Sequence, residues 1–474
     1  MAIIYKKQRL SDFSRENSLR NDFKFINLLS SENKYFYSHK EIFEFVPYSS
    51  VNVEELEEFY YAEIGDVTKF GDVNPQKLSF LDRNEDYENY FKKIEKGDII
   101  KPKKGDILIS KIRPYLNKNV FIGEEEIYYT KAFIHIRPKI NSEIFYFAIR
   151  SIFFNQLNAV SRQGKGYPTI KEEDIKAIKF SKSVIDNFME NELEIIGKIE
   201  NLKTEINNLK SSKLKPSDII NQVFSEEFNI PLNILKSLEE TKKLSVRFSD
   251  ISIDNSNLRN GIRWNKMQFI QNELYKNIDC IKILGQYITK TNNGWSPLSV
   301  EDGEGLPILG QESFSFDGAL KITPSKYTEE TKKNISEFFI NQGDFFVSRG
   351  NTVDLVALAC VVEEGIMEDI IYPDLYVKIV FDETVINKKY LALLFNSFFG
   401  RLYFKYVAKG KNQTMVKISS IELNNFHLPI PSIDKQLEIV AKIKTQIDVQ
   451  NLIDRQIEEK QNAINRIIES AIQH

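Results

Sequence analysis

Cysteine and histidine are scarce, with two and four copies in 474 residues. With two thiols, Cys280 and Cys360, and only four histidines, a disulfide framework and a Cys/His zinc cluster are both poorly supported. A reducing, cytoplasmic compartment is the natural expectation. Long apolar runs are missing too: no stretch of about eighteen apolar residues occurs, and the run at the N-terminus is too short for a signal peptide. We therefore expect no membrane partner. An excess of one charge is also absent, since 64 Lys and Arg stand against 67 Asp and Glu. A nucleic-acid surface, if present, has to be local.

What the sequence does have is ordinary globular material, 42% apolar and 28% charged, in a chain longer than one core usually serves. It also repeats itself. RLSDFSRENSLRNDFKF from Arg9 is similar to RFSDISIDNSNLRNGIRW from Arg247, a separation of 247 − 9 = 238. KGDILISKIRP around Gly105 and QGDFFVSRGNT around Gly343 are again 238 apart. GKGYPTIKEEDI from Gly164 matches GKNQTMVKISSI from Gly410 at 246, and LEIIGKI from Leu193 matches LEIVAKI from Leu437 at 244. Four matches in one order point to a tandem duplication.

Within each copy, runs of Ile, Val, Phe and Tyr between Gly-Asp or Gly-Glu turns predict strands of a curved sheet. Segments from Ser142 and Asn387 carry the aromatic and aliphatic spacing of a buried helix, so the class is α+β. Each copy then ends in a charged segment with apolar residues three and four apart. Leu193, Ile196, Ile199, Leu202, Ile206 and Leu209 form one stripe, and Ile433, Leu437, Val440, Ile447, Ile457, Ile464 and Ala471 a looser one. Such stripes suit a coiled-coil seam, and two long helices in one chain most simply pack antiparallel. A spacer between two similar heads suits a linear, repeating ligand such as DNA.

Charge is locally uneven. Lys101–Lys118 holds six basic residues and one acid, Gly400–Lys417 five and none, and Ser161–Lys171 three and none. Lys and Arg can neutralise phosphate there while Asn, Gln, Arg and Thr read base edges. The candidate DNA-contacting residues are Lys111, Arg113, Tyr115, Lys165 and Tyr167 in the first copy. In the second they are Arg349, Asn351, Lys409, Lys411, Asn412, Gln413 and Thr414. Glycine beside them lets the backbone approach phosphate closely.

Catalytic constellations are missing. There is no Asn/Asp-Pro-Pro-aromatic motif for adenine methylation and no phosphate loop ending Gly-Lys-Ser/Thr. Pro373-Asp374 with Lys378 lacks the second acid of a metal-dependent nuclease, because Tyr376 stands in its place. His39, His135, His427 and His474 show no ligand-like pairing. No catalytic residue, metal ligand or cofactor is assigned.

In the order of these motifs the chain resembles the specificity (S) subunits of type I restriction-modification systems. The likeness is carried by KKGDILISKIRP, NQGDFFVSRGNT, the glycine-basic loops, and FHLPIPSIDKQLEIVAKI, where Pro-x-Pro precedes a Gln-containing helix start. It departs at the first junction, FSKSVIDNFMENELEII, which has no Pro-x-Pro, and in an extra segment from Phe224 to Leu244. The resemblance implies target recognition domains at 1–185 and 229–430 and spacer helices at 186–228 and 431–474. It further implies a non-catalytic subunit that binds double-stranded DNA, each domain reading half of a bipartite target. Its partners would be two DNA adenine methyltransferase (M) subunits and restriction (R) subunits. The residues themselves leave open a nuclease or modification enzyme with an unrecognised site, and a coiled-coil scaffold that binds no DNA.

Overall fold

The computed structural model describes residues 35–470, except 50, 54–55, 82, 84–86, 125, 164–166, 242–260, 301–304, 364–368 and 413–414. The repeat segment at Arg9, and residues 247–260 of its match, lie outside the described residues. Helices and strands are mixed throughout, an α+β content. The chain divides into two units, one formed by 1–211 with 455–474 and the other by 212–454.

The first unit is organised by a four-stranded antiparallel sheet in the order Phe43–Phe45, Phe133–Pro138, Ile107–Ser110, Val120–Phe121. Its strand Ile107–Ser110 starts from the Gly-Asp turn. Gly105 takes φ +86°, which side-chain-bearing residues rarely adopt, and Asp106 accepts the Lys103 backbone N–H at 2.8 Å. All four residues of the strand are buried, so it reads as an unbroken apolar run rather than an alternation. Ile109 shares one face with Phe43, Phe153 and Phe180, and Leu108 faces Val120, Tyr129 and Phe133. Helices Ser142–Arg150 and Phe154–Ala159 follow, the first capped by the Asn141 side chain.

In the second unit the order is Ile288–Asn293, Tyr376–Phe381, Phe345–Ser348, Ala359–Val361, again antiparallel. Gly343 takes φ +82° and Asp344 accepts the Asn341 N–H at 2.8 Å, the same turn as at Gly105. Phe345 and Val347 join a core with Phe395, Phe399 and Phe404, while Phe346 points to the opposite core with Tyr372 and Tyr376. Asn387 caps the helix Lys388–Asn396, as Asn141 does in the first unit.

Residues 182–227 are helical in three pieces, Lys182–Glu190, Glu192–Ser212 and Pro216–Glu227. The last of these, with Leu232–Glu240, inserts Ile220, Val223, Phe224 and Leu238 into the core of the second unit. Thus the extra segment beginning at Phe224 contributes Phe224, Ile230 and Leu238 to that core.

The helix Ile433–Ser470 is unbroken over 38 residues, about 57 Å at 1.5 Å per residue. Within the first unit, Lys460 on this helix pairs with Glu205, and a 560 Å³ groove runs between Glu205, Asn208, Leu209 and Gln456, Glu459, Lys460. Within the second unit, Lys213 pairs with Asp454 at 2.5 Å, Gln450 accepts the Leu214 N–H at 2.8 Å, and Lys442 pairs with Glu226 at 2.7 Å. The apolar stripe matches the expected one at Ile199, Ile206, Ile457 and Ile464, which are buried, and departs from it elsewhere: Leu193 is 89% and Leu437 49% exposed, while Ile195 on one helix and Gln436, Ile439, Ile443, Gln450 and Ile468 on the other are buried. Gln436, Ile443, Gln450, Ile457 and Ile464 fall seven residues apart.

Candidate nucleic-acid interface

In each unit the end of the central strand meets the glycine-basic loop. Ser110 closes its strand, Ile112 bridges to Thr169, and the Arg113 N–H donates to Pro168 O at 2.8 Å. The loop is a hairpin, Arg162–Gln163 against Pro168–Thr169. In the second unit Ser348 closes the strand, and Gly350–Asn351 pairs with Lys417 and Val416 of the hairpin strand Met415–Lys417. That strand in turn pairs with Lys409–Asn412. Two motifs about fifty to seventy residues apart in sequence are thereby brought side by side.

A buried carboxylate anchors the base of each hairpin. Arg162 reaches Asp174, which is 1% exposed, at 2.6 Å, and Asp174 also caps its own short helix by accepting the Lys171 N–H at 2.9 Å. Lys409 reaches Glu422 at 2.7 Å, and Glu422 accepts the Ser419 N–H at 2.9 Å. Burial pushes the Glu422 carboxyl up, but hydrogen bonds from Lys409 and Ser419 outweigh it and leave it below the usual carboxylate range. Neither acid was among the sequence candidates. Their signal was the repeat itself, since 174 and 422 follow the two basic loops at nearly the same distance.

The candidates fall into different environments. Lys111 is turned inward: its ammonium donates to Tyr48 Oη at 2.7 Å and Lys131 O at 2.6 Å, and burial lowers its pKa. Arg113 is exposed, and its guanidinium lies 5.4 Å from the centre of the Tyr167 ring. Tyr167 and Tyr115 are 38% and 51% exposed, so this corner presents two aromatic surfaces beside one cation. Arg349 is half-buried, its backbone donating to Leu375 O and accepting from the Ile418 N–H. Asn351 spends its amide on Gln311 Oε1 at 3.3 Å and on the Thr352 N–H at 2.8 Å. Lys409 holds Glu422, as described. Lys411 and Asn412 lie on the first strand of the second hairpin. Lys165, Gln413 and Thr414 lie outside the described residues.

The two interfaces are chemically unequal. The counterpart of Lys101–Lys118, shifted by 238, is residues 339–356, with one basic residue, Arg349, and two acids, Asp344 and Asp354. In the second unit the lysines Lys409, Lys411 and Lys417 fall in the hairpin segment rather than around the strand motif.

Behind each strand, a carboxylate of the Gly-Asp turn takes a basic partner from the neighbouring strand. Asp106, 1% exposed, lies 2.7 Å from His135 Nε2 and accepts from Arg137 at 2.8 and 2.9 Å. Asp344 accepts from Lys378 at 2.6 Å. Lys378 is thus committed to Asp344, and Asp374 to the Ser296 hydroxyl at 2.6 Å, which separates the two members of the nuclease-like pattern. Among the described residues, no group of three or more His, Cys, Asp and Glu side chains could hold a metal ion, and no helix is long and apolar enough to cross a membrane.

No family model and no curated protein matches the chain. Solved structures of type I restriction-modification systems do resemble it. One, described as bearing on complex assembly and conformational transition of a type I R-M system, is 15% identical over 92% of this chain and 97% of its own, with a TM-score of 0.36. The HsdS subunit from Thermoanaerobacter tengcongensis is 15% identical over 92% and 96%, with a TM-score of 0.29. The type I restriction-modification S subunit from M. genitalium is 10% identical over 94% and 98%, with a TM-score of 0.35.

Proposed function

We propose that the chain is the DNA-reading specificity subunit of a type I restriction-modification complex, made of two tandem recognition domains joined by spacer helices. The observation that carries this reading is the recurrence, in each unit, of one strand order and one junction between central strand and basic hairpin. A duplicated surface of that kind suits a ligand with two separate half-sites. The hairpins supply cations for phosphate, and the strand ends supply side chains able to reach base edges.

In this reading the helices Glu192–Ser212 and Ile433–Ser470 set the gap between half-sites by packing antiparallel. The pairs Lys213–Asp454, Leu214–Gln450 and Glu226–Lys442, made just after Glu192–Ser212 and on the following helix Pro216–Glu227, support that direction, because one partner's number falls as the other's rises. The chain contributes no chemistry of its own; adenine methylation comes from two docked M subunits and cleavage from R subunits. The committed partners of Lys378 and Asp374 count against the nuclease alternative.

The test is co-expression with the adenine methyltransferase subunit of the same genome, followed by mapping of methylated adenines. A split motif with a fixed gap is the expected result. A stable complex that marks no motif would replace this reading with a scaffold role.

A further inference from the structure

We infer that Arg113 is a base-reading residue that recognises a guanine in the half-site taken by the first unit; the inference rests on the specificity-subunit reading above. Among the basic candidates whose side chains are described, Arg113 is the exposed one that no carboxylate holds. Lys111 is consumed by Tyr48 and Lys131, and Lys409 by Glu422. Among the described residues Arg113 has no carboxylate partner, while its guanidinium rests over the Tyr167 ring at 5.4 Å.

Its backbone is fixed as well. Arg113 takes φ +49°, a left-handed conformation that an arginine keeps only when its surroundings impose it, and conformations of this kind collect at ligand-binding positions. The constraint comes from both sides: its N–H donates to Pro168 O at 2.8 Å, and its carbonyl accepts the Leu116 N–H at 2.9 Å. A phosphate needs only a nearby cation, which a mobile lysine provides. A planar fork held against an aromatic ring has already lost the freedom that binding would remove, and it matches the paired acceptors O6 and N7 of guanine.

The second unit has no arginine at the equivalent position. A shift of 238 places Asn351 at this position, and its amide is taken up by Gln311 and Thr352. The effect of altering Arg113 is therefore confined to one half-site.

The experiment uses the complex co-expressed with its methyltransferase subunit and maps adenine methylation for the wild type, Arg113→Lys and Arg113→Gln. Arg113→Lys keeps the charge and removes the planar fork. The expected result is a split motif with an invariant guanine in one half. Arg113→Lys and Arg113→Gln should relax that position by about tenfold in methylation ratio, and the other half should be unchanged. Uniform weakening with every guanine retained and a shallower salt dependence would make Arg113 a phosphate contact and overturn the inference. A wild-type map with a split motif but no guanine altered by Arg113→Lys removes this inference alone, whereas a wild-type map with no split motif removes the parent reading too.

Discussion

The side-chain oxygen of Gln436 accepts the backbone N–H of Asn387 at 2.8 Å, tying the start of the 38-residue helix to the cap of the helix Lys388–Asn396. The amide nitrogen of Gln436 donates to Val385 O at 2.8 Å and Pro431 O at 2.9 Å, so a fully buried glutamine is satisfied on both its atoms. In the first unit Glu192, which precedes the matching Leu-Glu-Ile, accepts from the Asn141 side chain at 2.5 Å. Gln436→Leu keeps the bulk and strands three backbone groups. We expect a loss of about 2–4 kcal/mol in urea unfolding, at roughly 1–3 kcal/mol for each buried group left unpaired and with partial rescue by water. Stability within 0.5 kcal/mol of wild type, a margin of about the size seen for ordinary surface changes, would contradict this role.

Asp106 gives the acid limb of stability. Burial raises its pKa, but hydrogen bonds from His135, Arg137 and the Lys103 N–H outweigh that and hold it at about 2. The folded value lies below the unfolded one of about 3.9, so the carboxylate stabilises the fold above about pH 4, and that contribution fades as pH falls towards 2. Asp106→Asn should be less stable than wild type at neutral pH, with the gap closing between about pH 4 and pH 2. Denaturant midpoints measured across that range decide it; a gap that stays constant would mean that ionisation of Asp106 is not the source.

The hairpin anchors predict opposite lesions. Asp174→Asn removes the ion pair with Arg162 and Glu422→Gln that with Lys409, each a charge-assisted bond worth about 1.5–3 kcal/mol to the local fold. In methylation maps of the co-expressed complex, the first variant should blur one half of the motif and the second the other. Both variants blurring the same half would refute separate reading by the two units.

Removing one heptad, residues 447–453, keeps the seven-residue register of Ile443, Ile457 and Ile464 while shortening the helix by about 10 Å. The mapped motif should then lose about three base pairs from its gap, or the complex should fail to assemble. A complex that forms and keeps the original gap would show that the helix does not set the spacing.

The sheet strands were legible because the Gly-Asp turn is local: glycine supplies the positive φ and the following aspartate bonds three residues back. The meeting of strand end and hairpin was legible only as two motifs repeating in order. Which lysines stay available was not, because Tyr48 and Lys131, the partners of Lys111, lie 63 and 20 residues away. The helical stripe was legible in part, at Ile199, Ile206, Ile457 and Ile464, and misread elsewhere for a different reason. A pattern built on apolar spacing selects Leu193 and Leu437, which are exposed, and skips Gln436 and Gln450, whose burial depends on backbone partners far along the chain.

The division of the chain reverses the usual timetable of synthesis. Domains generally fold in the order in which they are made. Here the unit that begins first on the ribosome takes in Arg455 and the residues after it, which follow the whole of 212–454. The later unit has all its residues once Asp454 has emerged, while Glu205 of the earlier one still waits for its partner Lys460.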